Sequence, residues 1–480
     1  MGDGDQVADR SARGVWVRVR RWSRGRATAA LTGGVLALCL GLTACDGGTG
    51  AEPGPTLRST SNSSPAAEPV PLTFGVYGPP DEQAAFQRVV NAYNSSQSES
   101  RVQLRTWPSH DAMAADLRGS TGPGQDLPDV FMVSRADLSW LQQQHLTQPV
   151  DNLLDERGVD FGDGYARDSL EAFSADNRLQ CMPYAISPMV IYYNKDLVDF
   201  ARMRAKGLEA PDPAGENPRW SFDQFVAAAK FATRPRAGTR GVYISPSLEG
   251  LAPFLYSGGG QVFDDEENPT SLAFSDGGSQ DALTQTLTLL RDPHLTLTAH
   301  QLAKASPLQW FERGRLGMIA GYRSLVPRLR HVSGLDFDVM PMPVLGSSAT
   351  VADVTGVCLS SHAASSPAAA DLMVHLLSTD QVDEVARTGY VVPSNLGAAA
   401  SDAFLQPGRM PDHARVFTTT VRYAHFPPVI QTMSTLEQAV AASLDELVTV
   451  PVLNLPQLTT QIDEESRAVL SPESPSASTG

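Results

Sequence analysis

Residues 180–197 read QCMPYAISPMVIYYNKDL, and the fold turns on how this stretch is read. A short apolar piece, 180–184, runs toward a second, 189–193, with Ser187-Pro188 between them. Proline has no N–H and biases the preceding residue toward extended backbone, so one strand bends, or is handed on to another, at Pro188. The second piece ends at Tyr193-Asn194-Lys195-Asp196, and 197–205 reads as helix. Mixed α/β patterning lies on both sides of the stretch. A strand leaving one compact body for another fits that pattern; a plain buried strand with a proline near its end fits it too.

Upstream, 72–77 (LTFGVY), 101–107 and 127–133 (LPDVFMV) read as strands. A helix over 81–93 with Phe86, Val89, Val90 and Tyr93 at helical spacing, and a weaker one near 112–118, separate them. Strand alternating with helix predicts a parallel sheet. Ligands bind beyond the carboxyl ends of such strands, which here offer Tyr77-Gly78, Ser134, Arg135 and Asp137. Each of these is also an ordinary turn or cap residue.

Downstream, Ser221 and Gln224 form a capping box for a helix with Phe225, Ala228, Ala229 and Ala232 on one face. A strand at 241–244 and a helix at 248–256 lead to Gly258-Gly259-Gly260. Asp264-Asp265-Glu266-Glu267 lacks the alternating ligands and glycine of a calcium loop and reads as a solvated turn. An amphipathic helix covers 281–290. The segment WFERGRLGMIAGYR, 310–323, predicts a helix end, a strand through 318–320 and a turn carrying Tyr322 and Arg323. Another strand, 337–343, a polar loop with Asp353 and a strand over 354–359 follow. A helix at 367–377, the string GYVVPS at 389–394 and helices over 429–448 and 455–470 complete the chain.

The string CMPYAISPMVIYYNKDL resembles the first interdomain segment of the extracellular solute-binding proteins of ABC importers, family 1, sugar-binding type. Pro128-Asp129-Val130, the tryptophan-then-helix start at Trp220, the element around Phe311-Glu312-Arg313-Gly314 and GYVVPS are similar to that family in the same order, from about residue 72 to 470. The resemblance implies an α/β, two-lobed periplasmic-binding-protein-like (type II) clamshell with three interdomain crossings. Residues 71–184 and 356–396 would form lobe I, and 185–355 and 397–470 lobe II. It further implies that Tyr77, Ser134, Asp137, Tyr184, Ser187, Glu249, Phe254, Tyr256, Tyr322, Arg323, Asp353 and Phe426 border the ligand. Phe254 and Tyr256 have core packing as their rival role, and Glu249 can face either way. His425, beside Phe426, also falls where the family lines its cleft. A tyrosine face stacks on the C–H surface of a sugar, and arginine donates paired hydrogen bonds to hydroxyls or a carboxylate. The positions that map to the cleft are not rich in tryptophan, so oligosaccharide stacking would be reduced.

The first 44 residues carry seven arginines, then an apolar run over 27–42 ending in Leu42-Thr43-Ala44-Cys45. That run is shorter than the ~20 residues a bilayer span needs and reads as a secretory signal, similar to a bacterial lipoprotein signal with Cys45 as the lipidated residue. Residues 45–70, rich in glycine, proline and serine, read as a flexible tether, and 471–480 as a disordered tail. Formal charge is −16, and it becomes more negative without the basic leader, which argues against nucleic acid or an anionic lipid surface as partner. Cys181 and Cys358 remain after Cys39 and Cys45 are assigned to the leader and its anchor. The resemblance makes their two strands neighbours, with a disulfide or two buried thiols as the alternatives.

No Gly-x-Ser-x-Gly, phosphate-loop Gly-Lys or His-Glu-x-x-His occurs, and no two histidines are four apart. With those enzyme motifs missing, the resemblance implies a binding protein without cofactor or metal, delivering a sugar- or polyol-like solute to ABC permease subunits with a cytoplasmic ATPase. It would be a monomer, lipid-anchored on the extracytoplasmic face of a bacterial membrane. A secreted glycoside hydrolase, whose paired acids can be distant in sequence, and a solute sensor are the alternative readings.

Overall fold

The computed structural model describes residues 68–119, 127–175, 177–215 and 218–472. The leader, Cys45, most of the tether and the tail from residue 473 lie outside them. Strand β1 (Val70–Tyr77) runs parallel to β2 (Ser100–Trp107) and to β3 (Val130–Ser134). The helix Pro80–Ser96 joins the first two. Proline starts its first turn, Asp81 and Glu82 sit at its positive end, and Phe86, Val89, Val90 and Tyr93 are buried. Short strands β4 (Thr147–Gln148), β5 (Ser174–Ala175) and β6 (Arg178–Leu179) lead to β7 (Cys181–Pro188), and β8 (Val190–Asn194) follows after one intervening residue, Met189. Every residue of β7 and β8 is buried, as expected of strands covered on both faces.

The remaining strands are β9 (Arg240–Tyr243), β10 (Leu316–Gly321), β11 (Phe337–Met340), β12 (Thr350–Ser360) and β13 (Ala424–His425). One sheet has the order β13-β12-β3-β1-β2, with β4 and β7 also paired to β12; the second has the order β11-β8-β10-β9. The chain thus leaves the first sheet and enters the second at Met189. Its N–H donates to the Val351 carbonyl (2.8 Å), and its carbonyl accepts from Thr350 Oγ1 (2.7 Å). A second passage links β11 to β12. At the third, Ile186 N–H donates to the Val392 carbonyl (2.9 Å) and Ser394 N–H to that of Tyr184 (3.0 Å). The result is a two-lobed α/β fold with the crossings side by side.

Strand β12 starts four residues earlier than the sequence suggested. Asp353, expected in a loop, is instead on the strand opposite Ser187. The β-branched residues Thr350, Val351, Val354 and Thr355 suit that extended backbone. Two expected helices start late. Asp199 accepts from Arg202 N–H (2.9 Å) and so opens its helix at Phe200, while the closing pair begins at Met433, leaving 427–432 as loop. Cys181 and Cys358 face each other across β7 and β12 and form a disulfide, Cα–Cα 4.3 Å. Two residues before Cys358, Gly356 has the Phe173 ring where a side chain would project: an added Cβ would meet it at 2.7 Å.

Alternation along β8 divides the interior. Val190 and Tyr192 join the core that runs under the first sheet and on to Phe337, Phe404 and Phe417. Ile191 and Tyr193 join a second, aromatic-rich core. There Tyr193, Phe200, Trp220 and Phe225 make ring contacts at 4.9, 5.8 and 5.2 Å between centroids, a favourable arrangement beyond simple burial. Among the described residues no helix is long and apolar enough to cross a membrane.

Candidate functional site

A cavity of about 340 Å³ opens where elements of both sheets meet the loop 427–432. Its walls come from the turn after β3 (Ser134–Ala136), residues 351–354 of β12, the helix Leu248–Ser257, Tyr322 just past β10, and the start of the helix Met433–Thr449. Five residues anticipated as ligand contacts line it: Ser134, Glu249, Tyr256, Tyr322 and Asp353.

Tyr322 is fixed at two points. Its hydroxyl donates to Glu249 Oε1 (2.6 Å), and its carbonyl accepts from the Tyr192 hydroxyl (2.6 Å). Burial, followed by the charge of Glu249, pushes its phenol well above the usual range, so it remains a donor at any physiological pH. Tyr256 lies flat against the His425 imidazole, ring centroids 3.9 Å apart and 5° from parallel. Burial lowers the pKa of that histidine despite the nearby charge of Glu266, which favours the neutral ring. Ser134 Oγ accepts from Ala136 N–H (3.3 Å) and so serves as a cap as well as a wall.

Carboxylates give the cavity its electrostatic character. Asp353 is reachable from solvent through the cavity yet has protein close around it. Its pKa is raised by that burial and by Glu249, with His110 acting the other way. Glu437 is raised by burial and again by Glu249. The one arginine in the wall, Arg135, donates to the carbonyls of Ala172 (2.9 Å) and Pro427 and packs over Phe426 at 5.6 Å. Burial brings its pKa down to about 10, so it stays a cation with its donors engaged.

Residues 88–411 match the family described as bacterial extracellular solute-binding protein. The chain belongs to that family. Members are binding proteins, and the family's location is extracytoplasmic. This solute-binding protein also resembles solved structures. An ABC substrate-binding protein from Listeria monocytogenes in complex with cycloalternan aligns at TM-score 0.67 and 16% identity, over 82% of this chain and 97% of that one. A cyclic alpha-maltosyl-1,6-maltose binding protein from Arthrobacter globiformis gives 0.66 and 22%, over 84% and 99%. The GacH receptor of Streptomyces glaucescens, solved unliganded and with acarbose, gives 0.66 and 15%, over 84% and 99%. At these identities the likeness establishes the fold. No curated relative matches the sequence.

The other anticipated contacts of the solute-binding protein lie elsewhere, each for a definable reason. Arg323, 0% exposed, turns away from Tyr322. It donates to the carbonyls of Gly389 (3.1 Å) and Phe404 (3.1 Å) and packs over the rings of Phe404 and Phe417 at 4.6 and 5.1 Å. Ser187 Oγ accepts from the Arg323 N–H (3.0 Å). Phe254 is in the aromatic core, 6.4 Å from Phe225, and Tyr184 is buried 5.7 Å from Phe86. Tyr77 and Asp137 border a small neighbouring pocket. The Tyr77 ring packs against His110 (5.5 Å), while Asp137 accepts from Arg118 (2.6 Å) and pairs with His110 Nε2 (2.5 Å). Phe426 supports Arg135 from behind. Glu437 was not anticipated: nothing in its local sequence separates it from a solvated helix residue.

Proposed function

We propose that this solute-binding protein captures a carbohydrate-like solute in the cavity between its lobes and delivers it to ABC permease subunits driven by a cytoplasmic ATPase. The observation that carries the reading is the wall itself. The Tyr256 face backed by His425 offers a flat surface for sugar C–H groups, and the Tyr322–Glu249 pair with Asp353 offers acceptors for hydroxyls. The carbohydrate ligands in the names of the three similar structures point the same way. Closure would pivot on the adjacent crossings at Met189, β12 and 389–394, with ligand favouring the closed arrangement because it touches both walls. The lobe limits expected from the sequence, lipid anchoring through Cys45, a monomeric state and the lack of enzymatic turnover belong to this proposal. Calorimetry with a panel of di- and oligosaccharides is expected to give at least one binder in the micromolar range. Binding of amino acids or peptides in place of every sugar would overturn the ligand class.

A further inference from the structure

The cavity collects more negative charge than its surroundings neutralise. Glu249, Asp353 and Glu437 all line it, and the charge of Glu249 acts on both of the others. Among the described residues, the Glu249 side chain has one partner, the neutral hydroxyl of Tyr322, while the side chains of Asp353 and Glu437 have neither a hydrogen bond nor an ion pair. The cations nearby are already engaged. Arg135 is held by two backbone carbonyls and the Phe426 ring. His110, which faces Asp353 from the adjoining pocket, is paired with Asp137 and Asp111. Asp353 is the telling member, a solvent-exposed carboxylate in the cavity wall whose side chain has no partner among the described residues. Among the described residues no cluster of three or more acids, histidines or cysteines is arranged to hold a metal ion, so an inorganic cation is not the fitting occupant.

A neutral ligand would leave the repulsion between these carboxylates in place. A cationic group seated among them removes it and gains charge-assisted hydrogen bonds. The stacked Tyr256–His425 pair adds an electron-rich ring face in the same wall. We infer that the solute carries a protonated amine: an amino sugar or amine-bearing oligosaccharide, with the amine seated in the wall that Glu249, Asp353 and Glu437 share. This rests on the carbohydrate reading above and narrows it.

The test compares three disaccharides that differ chiefly at C2, namely cellobiose (hydroxyl), chitobiose (N-acetyl) and its fully de-N-acetylated form (ammonium). Each is titrated calorimetrically into the full-length mature chain at pH 7, alongside a panel of neutral oligosaccharides. The ammonium form is expected to bind at least ten-fold tighter than either neutral counterpart. That gap should shrink to about two-fold in the double variant Asp353→Asn/Glu437→Gln, whose melting temperature reports whether it is folded. Glu437→Gln alone, on an exposed helix face, should narrow the gap partway and serves if the double variant does not fold. Equal or tighter binding of the neutral sugars, or an undiminished gap in the folded variants, overturns the inference. If a panel oligosaccharide binds while the ammonium form does not, the inference falls and the carbohydrate reading stands. If no sugar binds, the carbohydrate reading falls with it.

Discussion

Tyr322 and Arg323 are neighbours in sequence and opposites in use. Arg323 enters the joint between the crossings, where carbonyls and ring faces hold a cation without a counter-ion; burial lowers its pKa to about 9. Tyr322 points into a cavity with three carboxylates and one arginine in its wall, where two of the carboxylates have no partner among the described residues. The joint buries its charge and satisfies most of it internally, whereas the cavity leaves its carboxylates exposed. A charge answered by the fold contributes to architecture, whereas one left facing a cavity is available to a ligand.

The comparison breaks if the joint proves dispensable. Arg323→Ala removes the donors to two buried carbonyls and opens a void, and should cost about 3 kcal/mol or more in chemical denaturation. Sugar affinity of the folded fraction should change less than two-fold. A large affinity loss with unchanged stability would place Arg323 in the site after all. Replacing Cys181 and Cys358 together by serine should cost about 2–4 kcal/mol by the same measurement. Once again, binding by the folded protein should persist.

Glu82 sharpens the contrast as a buried carboxyl outside both regions. It is 9% exposed, and burial raises its pKa to about 8 from 4.5. The folded state therefore holds its proton more tightly than the unfolded state, so stability falls as pH rises from about 4.5 toward 8. The positive end of the helix Pro80–Ser96 opposes this by favouring the charged form, so the expected loss between pH 5 and 8 is only about 2 kcal/mol. Denaturation curves of Glu82→Gln should lack that decline. An identical pH profile in variant and parent would mean that the carboxyl stays ionised. Smallest in stability is Asp353→Asn, which relieves repulsion from Glu249 and should alter unfolding by less than about 1 kcal/mol. Its effect should instead appear in binding, as at least a ten-fold weaker affinity for the preferred solute.

The handover at Pro188 was legible because a missing N–H and two apolar runs act locally. The parallel start was legible from helical spacing between strands. The aims of individual side chains were less so. Along the helix Leu248–Ser257, Phe254 shares the buried face with Leu251 and Leu255, whereas Tyr256 is turned toward the cavity. Helical spacing could have separated them. Nothing local turns Arg323 inward, because its partners at Gly389 and Phe404 are 66 and 81 residues away. Asp353 was misplaced for a related reason: its strand is extended by pairing with 187–189, a contact between distant segments.

A crystal structure with the tightest-binding sugar of the panel tests the central claim most directly. The account predicts a solute stacked on Tyr256 and hydrogen-bonded to Glu249 and Asp353, with residues 134–136 closing on its other side. A solute bound at full occupancy elsewhere on the molecule, with this cavity holding only water, would contradict it.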